Sequence, residues 1–360
     1  MSPMFIPGPV DVDQQVLAAQ AHPMLPHRSH EFESIFHRAR DKAKPLFGTQ
    51  SQVFIVASSG TGLQEAAVRN LAKGRVLCLV NGAFSKRWFE VAISNARQAD
   101  PLNFEWGQAV HPLLVADILN EKSYDLVTIV HNETSTGVQN PVEEIAEVVR
   151  ENSPDTLICV DAVSSLGGVN IEMDNWGVDM VLTSSQKCLA IPPGLALAAV
   201  SDRALDFALK VPDRGWYFDL VRLAEHLKKD STPATPALSL IYALDEQLNR
   251  IQAEGLENRF SRHSQMATLV QDWVSAKGLE LFAMDGFHSR TVTAVSNTLN
   301  LDINALNSFL KKKQMRIANG YGQLKDKTFR IAHMGDTQID EINALLALLD
   351  DFIAITRQHS

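Results

Sequence analysis

The 360-residue sequence predicts an α/β protein, a mostly parallel sheet with helices on both faces, followed by a smaller α+β domain. Three observations predict it. Short apolar runs alternate with helix-like stretches through the first two hundred or so residues, the pattern of parallel strands joined by crossover helices. The ends of these runs carry, in turn, Ser59-Gly60-Thr61, Phe84, Glu133-Thr134-Ser135, Asp161 and Lys187. In such sheets, ligands bind beyond the carboxyl ends of the strands. After that the texture changes to long amphipathic helices with a few strand-like pieces.

Composition narrows the function. The sequence is 45% hydrophobic and 21% charged, with a net charge of -9. This mixed acidic surface argues against bulk nucleic-acid binding. Three scattered cysteines, Cys78, Cys159 and Cys188, lack metal-ligand spacing and fit a reducing cytosol. No signal peptide or membrane span is expected, so a cytoplasmic protein is predicted.

Taken in order, Phe5-Ile6-Pro7-Gly8-Pro9 cannot open a helix, so residues 1–20 are expected as an N-terminal arm, with a turn of helix at Val16–Gln20. An amphipathic helix is expected over Glu31–Leu46, capped by Ser29. Gln52–Val56 reads as a strand running into Ala57–Gly62 and a helix from Leu63. Glycines and hydroxyls at a helix start can hold a phosphate or simply cap the helix. Arg75–Val80 is the next strand. Phe84 beyond it can face a planar ligand or pack in the core. Asp125–Val130 and Leu157–Val160 are further apolar strands. Asp161 is expected one helix–strand unit before Lys187.

Asp179–Leu182 is another buried strand, and Lys187 follows it in Ser-Gln-Lys-Cys-Leu, ahead of Pro192-Pro193-Gly194. A lysine there can be solvated, bind an anion, or attack a carbonyl. Ser231–Ala237, with Pro233 and Pro236, must be extended. One long amphipathic segment is expected over Leu238 to about Asp272, linking the large domain (21–253) to the small C-terminal domain (254–360). In the latter, strand-like Leu279–Ala283, Thr291–Val295 and Thr328–Ala332 accompany helix-like Ile303–Lys312 and Gln338–Phe352, the last capped by Asp336.

A carboxylate, an aromatic face, a phosphate cradle and a lysine at one sheet edge suit pyridoxal 5'-phosphate. At these residues the chain resembles the class V aminotransferases of fold type I, specifically the alanine/serine–glyoxylate (serine–pyruvate) branch. The matching segments are Pro7-Gly8-Pro9, Ser59–Gly62, Asn81–Phe84, Glu133–Gly137, Val160–Ser165, Ser185-Gln186-Lys187 with Pro192–Gly194, and Phe329-Arg330-Ile331 with Gly335.

The resemblance implies a seven-stranded sheet and a homodimer. It implies Lys187 as the amine joined to the cofactor aldehyde and Asp161 at the pyridine nitrogen. Phe84 and Val163 would lie on the two ring faces, with Ser59, Gly60, Thr61 and Gln186 at the phosphate. Thr134 or Ser135 would lie near the phenolic oxygen, and Thr235 would reach the phosphate of the partner subunit. Arg330 would clamp a substrate carboxylate, with Gly8 beside it. Arg28 could be a second anion contact or a structural pair. The expected substrates are a small amino acid, alanine or serine, and a small 2-oxo acid, glyoxylate or pyruvate. The alternatives are a lyase such as a cysteine desulfurase, or a transaminase for 2-aminoethylphosphonate or a ureido amino acid.

Overall fold

The computed structural model describes residues 3–358 and folds them around two sheets. The larger contains β2 (Gln52–Ala57), β3 (Arg75–Val80), β4 (Gln98–Asn103), β5 (Leu126–Val130), β8 (Leu157–Asp161), β9 (Met180–Ser184) and β10 (Leu195–Val200). Their spatial order is β2-β10-β9-β8-β5-β3-β4. Only β10 runs against its neighbours; every other pairing is parallel. Helices cover both faces, so β5, β8 and β9 are buried at every residue. This is why they read as unbroken apolar runs. Each fully buried Val, Leu or Ile contributes about 1.5–3 kcal/mol.

The smaller sheet has the order β1-β13-β14-β12-β11. Its strands are β1 (Met4–Phe5), β11 (Glu280–Leu281), β12 (Val292–Ser296), β13 (Arg316–Asn319) and β14 (Thr328–Ala332). The arm therefore supplies an edge strand, β1, parallel to β13. A short hairpin, β6 (Asn132–Glu133) with β7 (Val138–Gln139), follows β5. Among the described residues, no helix is long and apolar enough to cross a membrane.

Several expectations change. The segment after Ala237 is two helices, Leu238–Glu254 and Leu256–Ala276, broken at Gly255, whose φ of 81° suits glycine. The connection from β8 to β9 contains turns and no helix, so Asp161 and Lys187 are not separated by a helix–strand unit. Asp336 does not cap the last helix, Ile339–Gln358. Its carboxylate instead accepts from Gln247 and pairs with Arg259, and Glu341 accepts from the Gln338 N–H at 2.9 Å. The helix after β2 begins at Gly60 rather than Leu63, which places the glycine loop within its first turn.

Candidate active site

The carboxyl edge of the larger sheet opens into a cavity of about 290 Å³. Ser59, Gly60 and Thr61 line one side of it, at the start of the helix Gly60–Asn70. Ser59 makes no side-chain cap bond there, so this helix start keeps its ability to bind an anion. Gly60 packs directly on Val163: a Cβ at Gly60 would stand 2.5 Å from Val163 Cγ2.

Phe84 sits in the first turn of the helix Ala83–Ser94, after β3. That turn is fastened by Glu133, which is fully buried. Its carboxylate accepts from Phe84 N (3.1 Å), Ser85 N (2.9 Å), Ser85 Oγ (3.0 Å), Ser135 N (3.2 Å) and Ser135 Oγ (2.6 Å). Negative charge at a helix N-terminus is favourable, so Glu133 fixes where the Phe84 ring lies. Gly82 makes room for it, since a Cβ there would fall 2.4 Å from Glu133 Cδ.

Asp161 ends β8 beside Val130 and Leu182 of the adjacent strands. Its Oδ1 accepts from Val163 N at 2.8 Å and its Oδ2 from Gln64 Nε2 at 2.7 Å. Burial pushes the carboxyl up to about 6, against the pull of those two bonds. Lys187 lies in the loop after β9, and its Nζ donates to the Pro7 carbonyl. Gly8 leaves room for it, because a Cβ there would stand 2.6 Å from Lys187 Cδ. Burial, then the nearby Arg330 charge, push the amine down to about 8. The same burial pushes Cys188 up to about 11, which suits a packing residue and not a nucleophile.

Arg330, on β14, reaches from the smaller sheet to the back of Thr134, which lines the cavity. Its Nε and Nη2 donate to the Asn319 carbonyl, both at 3.1 Å, and Nη1 donates to the Thr134 carbonyl at 3.2 Å. Burial pushes this guanidinium down to about 10. No carboxylate of the described residues pairs with it. A buried guanidinium held only by carbonyls keeps its charge free for a ligand carboxylate. Tyr321 lies between Arg330, whose Cζ is 5.6 Å from its ring centroid, and Phe84, whose ring is tilted against it at 5.3 Å between centroids.

Of the residues expected from sequence, Gly8, Ser59, Gly60, Thr61, Phe84, Thr134, Asp161, Val163, Gln186 and Lys187 all line the one cavity. Arg330 stands behind Thr134. Thr235 lies in a separate groove with Trp216 and Tyr217. Arg28 donates to Ser231 Oγ at 3.4 Å and lies outside the residues that line the cavity. Sequence reasoning missed Gln64, Ser184, Arg87 and Tyr321. Gln64 falls one helical turn beyond Gly60 and Thr61, on the same face, and that spacing could have found it.

The donor set fits pyridoxal 5'-phosphate. The helix start offers free N–H groups for a phosphate, and Asp161 offers a buried acceptor for a cationic ring nitrogen. Gln64 Oε1, Asn132 Oδ1 and Ser184 Oγ are buried side-chain atoms without a partner, and their residues also line the cavity. Buried polar atoms rarely stay unpaired without reason.

The comparisons with known proteins agree. A family profile described as aminotransferase class-V matches residues 13–325. The chain is 38% identical over 355 residues to an uncharacterized aminotransferase of Methanocaldococcus jannaschii, covering 96% of this chain and 91% of that one. It is 34% identical over 358 residues to alanine–glyoxylate aminotransferase 1 of Saccharomyces cerevisiae, covering 93% and 92%. The solved structure of an aspartate aminotransferase of subgroup IV from Thermus thermophilus matches with a TM-score of 0.91 at 30% identity, covering 98% of this chain and 99% of that one. The two-sheet architecture is thus that of fold type I aminotransferases, and the chain belongs to the class V aminotransferase family.

Proposed function

We propose that this aminotransferase uses pyridoxal 5'-phosphate to move an amino group from a small amino acid, alanine or serine, to glyoxylate or pyruvate. When bound, that cofactor supplies an aldehyde that a lysine or substrate amine can hold, and a protonated ring that accepts the electron pair released at the substrate Cα. Ser59, Gly60, Thr61 and Gln186 hold the phosphate. Phe84, Val163 and Thr134 line the same cavity and would hold the ring. Asp161 keeps a proton on the ring nitrogen. Its charge is poorly screened in a buried site, so it opposes loss of that proton strongly.

Lys187 is the amine that anchors the aldehyde. With its amine free, Lys187 would be the base placed to accept the substrate Cα proton. An amine lowered to about 8 is well placed for both tasks near neutral pH. Arg330 binds the substrate carboxylate beside Gly8. Thr235, set apart from the cavity, suits a role at the phosphate of a second copy in a homodimer. Three free, buried cysteines support a reducing compartment. They also disfavour a desulfurase, which would need an accessible loop thiol.

One observation carries this reading. A half-buried lysine and a buried carboxylate line the same cavity without forming an ion pair with each other, beside an arginine with no counter-ion among the described residues. Purified protein given pyridoxal 5'-phosphate should turn yellow and hold it covalently after borohydride reduction. It should bleach with alanine or serine and recover with pyruvate or glyoxylate. Lys187→Ala should lose the covalent link entirely. A link that survives in this variant would sink the assignment.

A further inference from the structure

Counting charges at the cavity leaves one cation over. Glu133 is consumed by the helix start that carries Phe84. On the function proposed above, the helix start at Gly60 takes the phosphate, Asp161 takes the ring nitrogen and Arg330 takes the substrate α-carboxylate. Arg87 has no such use. It lines the cavity one turn beyond Phe84, with its Cζ 5.0 Å from the Phe84 ring centroid. Its Nη2 donates to Tyr321 Oη at 3.2 Å, and no carboxylate of the described residues pairs with it. It acts on Lys187 as a nearby positive charge.

Tyr321 therefore joins two guanidinium groups, Arg87 at its hydroxyl and Arg330 over its ring. Each is a planar fork suited to a carboxylate. One is buried and meets the Thr134 carbonyl; the other is half-buried at the cavity wall. We propose that Arg87, steadied by Tyr321, is a second carboxylate subsite, so that the enzyme also accepts amino donors bearing a side-chain carboxylate. Arg330 would hold the α-carboxylate of such a donor and Arg87 the distal one. The proposal rests on the transaminase reading and adds a donor class to it.

The test uses the holoenzyme and unreactive probes, succinate as diacid and butyrate as monoacid of equal length, with binding followed by calorimetry. Wild type should bind succinate at least about tenfold more tightly than butyrate, as one charge-assisted contact would give. Arg87→Gln should reduce that preference to within about threefold. Arg87→Lys, which keeps charge without the fork, should retain part of it, as should Tyr321→Phe. In turnover, the ratio of kcat/KM for aspartate over alanine should fall in parallel.

Equal binding of the two acids by wild type would overturn the subsite. So would a preference that survives Arg87→Gln, or an Arg87→Gln protein that sheds pyridoxal 5'-phosphate while its preference stands, which would place Arg87 at the phosphate. Failures of the two readings separate cleanly. Absence of the borohydride-reducible chromophore sinks the cofactor reading, whereas a normal chromophore with no diacid preference sinks only this one.

Discussion

Two carboxylates lie buried at the same edge of the larger sheet, and their surroundings differ. Glu133 is saturated: it accepts from two backbone N–H groups and a hydroxyl of the Phe84 turn, and from the N–H and hydroxyl of Ser135. Asp161 accepts from one N–H and one amide, and it faces the cavity. Burial alone does not mark a working acid. What separates them is bonding capacity left over. A carboxylate has about four acceptor positions, and Asp161 has places to spare where Glu133 has none. The first is poised for a ligand; the second is a fastening.

That contrast can be broken by isosteric amides. On the proposed role of Asp161, Asp161→Asn should lower transaminase turnover the most, by about 100- to 1,000-fold, since it removes a pre-aligned charge from the cavity. A loss under tenfold would put Asp161 on the same footing as Glu133.

The same substitution should stabilise the protein freed of cofactor. The sign follows from the raised carboxyl. Asp161 binds its proton more tightly folded, near 6, than its ordinary value of 3.8. Ionising it therefore costs stability, and the cost grows as pH rises through that interval. At pH 7, Asp161→Asn should gain on the order of 2 kcal/mol in urea unfolding, and the gain should vanish below about pH 4. An equal or lower stability at pH 7 would contradict the burial cost.

Glu133→Gln should do the opposite. The amide brings a donor into a nest of donors, so stability should fall by about 1–2 kcal/mol, with the Phe84 turn loosened. Unchanged unfolding would show that the fastening contributes nothing.

The smallest effect sharpens the open side of the site. With the Lys187 amine lowered to about 8, its neutral fraction grows with pH. Covalent uptake of pyridoxal 5'-phosphate should accelerate about fivefold from pH 7 to pH 8 and level off by about pH 9. A rate still climbing steeply above pH 9 would mean an ordinary lysine.

Much of this was legible in the sequence because buried parallel strands announce themselves as apolar runs with polar ends. Asp161 and Lys187 could be placed on that ground alone. Two strands were not. β4 (QADPLN) is an edge strand, exposed at several residues and carrying Pro101, which is tolerated there. β10 (LALAAV) is fully buried, but its three alanines have little strand propensity. Arg87 and Tyr321 escaped for another reason. Each acts through a partner distant in the chain, such as Arg87 with Tyr321, 234 positions away, and no local pattern records such a meeting. Glu133 stood in plain view at a strand end, yet only its bonds tell a fastening from a working group.

The arm has a practical consequence. Pro7 receives the Lys187 amine, Val10 N–H bonds the Gln186 carbonyl at 3.1 Å, and Met4–Phe5 is stitched to the smaller sheet. Affinity handles fused ahead of this segment would hang within a few residues of the Lys187 amine, and proteolytic trimming there would unroof it. Preparations that differ only in such trimming should differ in specific activity, so the intactness of the first ten residues belongs among the checks made on every batch.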